Sequence, residues 1–331
     1  MKNTILTFCC ILLQQSLFAE NKDWLIDGSP YKTEVNLSSD KKQIELTNGL
    51  LRRSFSLTPN GATIALDNLM TGQNELRAVR PEAVLVINGK EYPVGGLEGQ
   101  PVHNFLTKDF LSGMQLCDSA FVLAGYTVSE TKERFPWKPN EAWISNRYPW
   151  PAPGKRITFT YRAPRKIVDE CKGLTIRIVY ELYDGAPILS KWIEIENNGQ
   201  KAVTLDSFKS EVLALVETAP KVHYGEPHEV RMMAQKTGYY TEDYRKRPVQ
   251  TDAPRDYIDR FTQLFVVTDY AMGGDMEAMK DNPAVRWVFD HPEYEFTGIR
   301  YYGQYKPARL EVTPLLGPAE AVSYTHLRAH E

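Results

Sequence analysis

The chain has 331 residues, 42% hydrophobic and 11% aromatic, enough for one large domain or two ordinary ones around a packed core. Its 39 Lys and Arg against 42 Asp and Glu leave a net charge of −3, which excludes the basic footprint of a nucleic-acid binder. The 18 Tyr and 6 Trp supply flat apolar rings with polar handles, suited to cross-strand core packing or to stacking on the apolar faces of sugars.

Lys2, the apolar run Ile5 to Leu13 and the segment Ser16-Leu17-Phe18-Ala19 read as a secretory signal peptide over residues 1–19. The run is too short for a membrane span. Phe8, ahead of Cys9, is too bulky for a lipoprotein anchor. The expectation is an exported protein, periplasmic or extracellular. Its mature part retains Cys117 and Cys171, between which an oxidising compartment permits a disulfide without requiring one.

Residues 20–42 are polar and read as an extended lead-in to a domain spanning 43–322. Ile44 and Leu46 begin an alternation that turns at Asn48-Gly49, returns over Leu50 to Leu57, and turns again at Pro59-Asn60-Gly61 into Ala62 to Leu66. A second hairpin joins Ala83–Ile87 to Glu91–Val94 through Asn88-Gly89. Ser119 to Ser129 reads as a strand. Between Glu130 and Arg156 the pattern breaks: RFPWKPNEAWISNRYPWPAPGKR holds Trp137, Trp143, Trp150 and a series of prolines. Proline removes ladder donors, so this is no central strand. A long aromatic loop either binds something or covers something.

Ile157 to Tyr161 resumes the sheet. Leu174 to Tyr183 then alternates strictly, with Leu174, Ile176, Ile178, Tyr180 and Leu182 on one face, as in a long half-buried strand. Asp184-Gly185 turns it into a strand with Leu189, Ile193 and Ile195 inward. Asn197-Asn198-Gly199 turns again into Ala202–Phe208, so the three strands are expected to form an antiparallel meander. Glu211 to Val216 continues the sheet. Lys221 to Pro254 is loop-like, Ala271 to Lys280 suits a short helix, and Val285–Phe289, Tyr294–Tyr302 and Arg309–Val312 close the series. No βαβ alternation appears. The fold expected is all-β, a large antiparallel two-sheet sandwich with few short helices.

The run YDGAP, a Trp-bearing strand ending in ENNG, and then VTLDSF (residues 183–208) resembles the N-terminal β-supersandwich of family 36 α-galactosidases, a galactose-mutarotase-like fold. The resemblance runs from about Ile44 to Leu316. It implies a non-catalytic domain that supports a (β/α)8 barrel and shapes the substrate entrance, with an α-galactoside or other glycan as ligand and a homo-oligomer as a possible assembly. The family's catalytic aspartates lie on the barrel, and no segment here matches them. The final SYTHLRAHE (residues 323–331) resembles translated sequencing adapter. That tail is set apart as non-native, and the chain is expected to be a fragment cut near the start of the barrel.

The remaining chemistry is sparse. Glu194/Glu196 and Glu293/Glu295 share strand faces, where solvated carboxylates are ordinary. The segment KVHYGEPHE gathers His223, His228 and two glutamates, but Gly225 and Pro227 preclude helical ligand spacing. A mutarotase-like reading needs a His acid and a carboxylate base in one concave face; His103, His223 and His228 are available for it. Tyr301 and Tyr302 would point to opposite faces of a strand. No phosphate loop, nucleophile elbow or Cys-His cluster is present, so neither cofactor nor metal is expected. The candidate substrate-binding residues are Trp137, Trp143 and Trp150, and no catalytic residue is assigned. The alternatives are a stand-alone carbohydrate-binding module, or a mutarotase- or lyase-like enzyme on the same fold.

Overall fold

The computed structural model describes residues 23–100, 106–137, 149–164, 171–215, 236–237, 240–241, 285–289, 308–313, 319–321 and 326–329. Strands β1 (Glu34–Leu37), β2 (Gln43–Thr47), β3 (Leu51–Ser56), β4 (Ala62–Asn68) and β5 (Gln73–Asn74) form an antiparallel sheet in chain order. β6 (Leu76–Ala78), β7 (Ala83–Ile87) and β8 (Lys90–Val94) follow, then a short helix α1 (Lys108–Gly113), whose N-cap Thr107 accepts from the Phe110 N–H. β9 (Val122–Glu130), β10 (Gly154–Arg162), β11 (Leu174–Tyr183) and β12 (Leu189–Asn197) are the longest strands and lie side by side. β13 (Val203–Lys209), β14 (Glu211–Leu215), β15 (Lys236–Thr237), β16 (Tyr240–Thr241), β17 (Val285–Phe289), β18 (Ala308–Val312), β19 (Ala319–Ala321) and β20 (His326–Ala329) complete the described elements.

The fold is all-β, and among the described residues its ladders are antiparallel throughout. Its layering is finer than a plain pair of sheets. The β9–β12 sheet forms one layer; the β1–β5 sheet and the sheet ordered β19-β13-β7-β8 face it across the main core. A fourth sheet, β17-β18-β14-β6, packs on Leu66 of β4 through Leu76, Leu213, Leu215, Leu310 and Val312. Phe55, Phe159 and Tyr180 meet at the centre, with ring centroids 4.8, 4.9 and 6.1 Å apart. The β7–β8 turn is the one its sequence demands: Asn88 and Gly89 take φ of 48° and 75°, the pair of positive angles that a two-residue hairpin turn requires.

Two sequence expectations are refined. β13 does not continue a meander beside β12. It crosses to the facing layer and pairs with β7. Asn197 holds that corner, donating to the Lys201 carbonyl at 2.9 Å and accepting from the Gly199 N–H at 2.9 Å. The crossing lets Val203, Leu205 and Phe208 bury from the side opposite Ile193 and Ile195. β11 is also buried on both faces, not one: Thr175, Val179 and Glu181 on its second face are covered as fully as Ile176 and Ile178. The residues over that second face form the candidate site below.

Within the lead-in, β1 pairs with β2, and Lys32 and Thr33 dock on the β11–β12 turn. At that turn Asp184 accepts from the Thr33 N–H at 2.9 Å and from Lys32 Nζ at 3.1 Å, while Asn48 Nδ2 donates to the carbonyls of Tyr183 and Ala186. Burial pushes the Asp184 carboxyl up, and these donors outweigh it and hold it below its ordinary value. The YDGAP motif is thus a fastening point for two other segments of chain. No disulfide joins Cys117 to Cys171; Cys171 is buried in the core. In the tail set apart above, β20 lies antiparallel on the edge of β12, with Arg328 opposite Glu194.

An ionic cluster lies inside the sandwich. Arg53 of β3 is 2% exposed, Glu82 is 1% exposed and Lys191 of β12 is 9% exposed. Arg53 grips Glu211 of β14 with two nitrogens, at 2.6 and 3.2 Å, and donates to Thr63 Oγ1 at 2.8 and 2.9 Å. Lys191 Nζ reaches Glu211 at 2.7 Å and the Glu82 carbonyl at 2.5 Å. The Glu82 carboxylate accepts from the Thr63 N–H and from the Tyr180 hydroxyl. The Arg53 guanidinium also lies 4.6 Å over the Tyr180 ring. One cluster therefore ties all four large sheets or the segments entering them.

Tyr161 stands apart in this neighbourhood. It is fully buried, and its hydroxyl has no hydrogen-bond partner among the described residues. It packs against Gly61, where a Cβ would stand 2.4 Å from the Tyr161 oxygen. Burial, then the nearby Glu82, pushes the phenol well above its ordinary range. Removing an unpaired buried hydroxyl relieves a desolvation cost, whereas removing a paired one strands its acceptor. Tyr161→Phe is therefore expected to be neutral or stabilising by up to about 1 kcal/mol, and Tyr180→Phe destabilising by about 1–2 kcal/mol. Urea melts of the two variants check the contrast, and equal losses would contradict it.

Candidate functional site

The outer face of the β9–β12 sheet carries the polar rows that strand alternation leaves outside. Register sets Arg156, Glu181 and Ser190 in one row and Thr158, Val179 and Trp192 in the next. Arg156 Nε donates to Glu181 Oε1 at 2.7 Å. Tyr183 donates to Glu181 Oε2 at 2.9 Å and lies 3.0 Å from Ser190 Oγ. Burial, with the adjacent Glu181 carboxylate adding to it, raises the Tyr183 phenol to about 12, so it remains a neutral hydroxyl. Trp192 is 2% exposed: Arg134 and Arg156 place their guanidinium carbons 4.9 and 5.0 Å over its ring, and its Nε1 donates to Glu194 at 3.3 Å.

Over this face run the two described limbs of the aromatic segment, 131–137 and 149–153. Trp150 sits in the middle of a ring stack. Its centroid is 5.1 Å from Phe135 and 5.5 Å from Trp137, at interplanar angles of 44° and 55°. Trp150 Nε1 donates to the Phe135 carbonyl at 3.1 Å, which joins the limbs. Trp137 and Trp150 are half-buried, and Phe135 is 45% exposed, so the stack presents ring surface to solvent. Rings held this way have lost their rotamer freedom before any ligand arrives, and such pre-organised aromatics bind planar apolar faces at low entropic cost.

Of the three tryptophans singled out in the sequence, the structure brings Trp137 and Trp150 together; Trp143 lies outside the described residues. His103, His223, His228, Glu293, Glu295, Tyr301 and Tyr302 lie outside them as well, as does the segment 271–280. Of the segment 221–254, the β15–β16 ladder is described. Glu194 and Glu196 are half-buried and engaged: Arg177 donates to Glu196, and Trp192 to Glu194. Sequence reasoning did not single out Phe135, Arg134, Arg156 or Glu181, and used Trp192 only as a mark of the resemblance. Two signals pointed to three of them: arginine and glutamate at alternate positions of the longest strands for Arg156 and Glu181, and a Phe two residues ahead of Trp137 for Phe135. Among the described residues no helix is long and apolar enough to cross a membrane.

No family model matches this chain, and no curated protein matches it. Among solved structures, the GH36 α-galactosidase AgaB from Geobacillus stearothermophilus aligns with 55% of this chain at 12% identity and a TM-score of 0.32. The aligned part is 25% of that enzyme's own length. A superposition of that score assigns neither fold nor activity to this chain.

Proposed function

We propose that this chain is a glycan-contacting β-sandwich domain of an α-galactosidase-like glycoside hydrolase, exported, and that it binds sugar without cleaving it. The single observation that carries the reading is the Phe135–Trp150–Trp137 stack, half-open to solvent and fastened to a rigid sheet. The YDGAP-to-VTLDSF run supports the glycoside hydrolase setting through its resemblance to family 36 supersandwiches. The carboxylate beneath the stack favours binding over hydrolysis. A retaining glycosidase needs two carboxyl groups about 5 Å apart facing the sugar. Glu181 instead is 2% exposed and is taken up by Arg156, Tyr183 and the Lys132 N–H.

Affinity electrophoresis in gels containing galactomannan, run beside a chromogenic α-galactoside assay, tests both halves. The expected result is retarded migration of the intact chain and a hydrolysis rate at background. Turnover above background would overturn the non-catalytic assignment, and unretarded migration across α-linked and β-linked glycans would overturn the binding assignment.

A further inference from the structure

We infer that Arg156 and Glu181 are positioning residues for the ring stack: they form a clamp that grips the main chain of Lys132 and so set the spacing of Trp137 and Trp150. The glycan part of this inference rests on the reading of the stack as a sugar platform; the clamp itself rests on geometry alone.

The first limb is fastened at Thr131, Lys132 and Arg134. Thr131 bonds to the foot of the second limb, its N–H donating to the Gly154 carbonyl at 3.3 Å and its hydroxyl to the Ala152 carbonyl at 2.6 Å. Lys132 is held at both main-chain groups. Its N–H donates to Glu181 Oε1 at 3.3 Å, and its carbonyl accepts from Arg156 Nη2 at 3.2 Å. Arg134, two residues on, lies over the Trp192 ring. With its main chain held at Lys132 and the Arg134 side chain over Trp192, the limb bends at residues 134–135 and carries Phe135 and Trp137 onto Trp150. Glu133 and Phe135 are exposed, and Phe135 and Trp137 carry the two outer rings of the stack.

The clamp needs a forked cation. Arg156 uses Nε and Nη2 on Glu181 and Nη2 again on the Lys132 carbonyl, while its guanidinium carbon lies 5.0 Å over the Trp192 ring. A lysine keeps the charge but cannot span carboxylate and carbonyl from one planar fork. Glu181, for its part, keeps its two oxygens aimed by accepting from Arg156, Tyr183 and Lys132. Neither residue is on the ring surface; each acts through the limb it holds.

The test is Arg156→Lys in the intact chain, read by near-ultraviolet circular dichroism. Two indoles packed 5.5 Å apart in a fixed mutual orientation give a near-ultraviolet signal that reports their packing. The expected result is loss of that signal to the level of Trp150→Ala, with far-ultraviolet dichroism and cooperative melting retained. Galactomannan affinity should fall about tenfold, the equivalent of one lost positioned contact. An unchanged signal in folded Arg156→Lys overturns the clamp. If Arg156→Lys does not fold, Glu181→Gln, which keeps the side chain's shape, is read by the same two outcomes. If the signal is lost as expected but the parent chain binds no glycan, the clamp stands and the platform reading fails.

Discussion

Arg53→Ala is expected to destabilise the folded chain by about 3–5 kcal/mol, because it removes one of the two cations from a buried, balanced cluster and leaves one carboxylate charge in excess. Lys191 alone would then face both Glu211, which Arg53 holds with two nitrogens, and Glu82, 3.6 Å from the guanidinium. A loss of that size is a large part of the 5–15 kcal/mol typical of a folded domain. Lys191→Met is expected to cost less. Burial pushes the Lys191 ammonium below its ordinary range despite Glu211 and Glu82, so the lysine charge is itself held at a cost. Denaturant midpoints of the two variants rank them; a milder effect for Arg53→Ala would contradict the assignment of Arg53 as the principal counter-ion.

The same cluster fixes the sign of the acid response. Burial pushes the Glu211 carboxyl up, and the charges of Arg53 and Lys191, with their hydrogen bonds, outweigh it and leave it at about 2, against an ordinary 4.5. A carboxyl depressed on folding contributes stability that is present above its unfolded value and is lost as pH falls through its folded value. Stability should therefore decline between about pH 5 and pH 2 by an amount on the order of 3 kcal/mol from this group. Arg53→Ala should flatten that decline.

Trp150→Ala is expected to abolish measurable glycan binding while leaving the sandwich folded. Trp150 is the middle ring of the stack and the donor that joins the limbs, so its loss separates Phe135 from Trp137 as well as deleting its own surface. Truncating a central aromatic of a binding surface costs about 2 kcal/mol or more, roughly 30-fold in affinity. Phe135→Ala removes an outer ring and should cost less. The limbs lie outside the main core, so thermal melting of Trp150→Ala should remain close to that of the parent. Retained affinity in folded Trp150→Ala would contradict the platform.

Much of this architecture is legible in the chain itself. Strand alternation and the Asn88-Gly89 turn place β2–β4, β7–β8 and β9–β14 within a few residues of their observed limits. What local pattern cannot fix is which strands become neighbours. β13 follows a turn signal like any hairpin, yet its apolar face is wanted by the opposite layer. β5 and β6 are too short to generate a period, and their pairing is a consequence of β4 and β14. The buried cluster left a fainter trace. Leu51, Arg53 and Phe55 share one phase, as do Leu189, Lys191, Ile193 and Ile195; each cation stands where the period calls for an apolar side chain. Glu211 likewise shares its phase with Leu213 and Leu215. Charges of both signs on core phases of distant strands signal a buried pairing, though only the fold tells which meets which. The ring stack was half legible: the tryptophans stand out by composition, whereas the clamp beneath them depends on register across β10, β11 and β12.

The most direct test of the sugar-platform account is a titration of intrinsic tryptophan fluorescence of the intact chain with an α-galactosyl oligosaccharide. The account predicts a saturable change in emission that is absent from Trp150→Ala. A flat titration in the parent chain, or the same saturable change in Trp150→Ala, would contradict it.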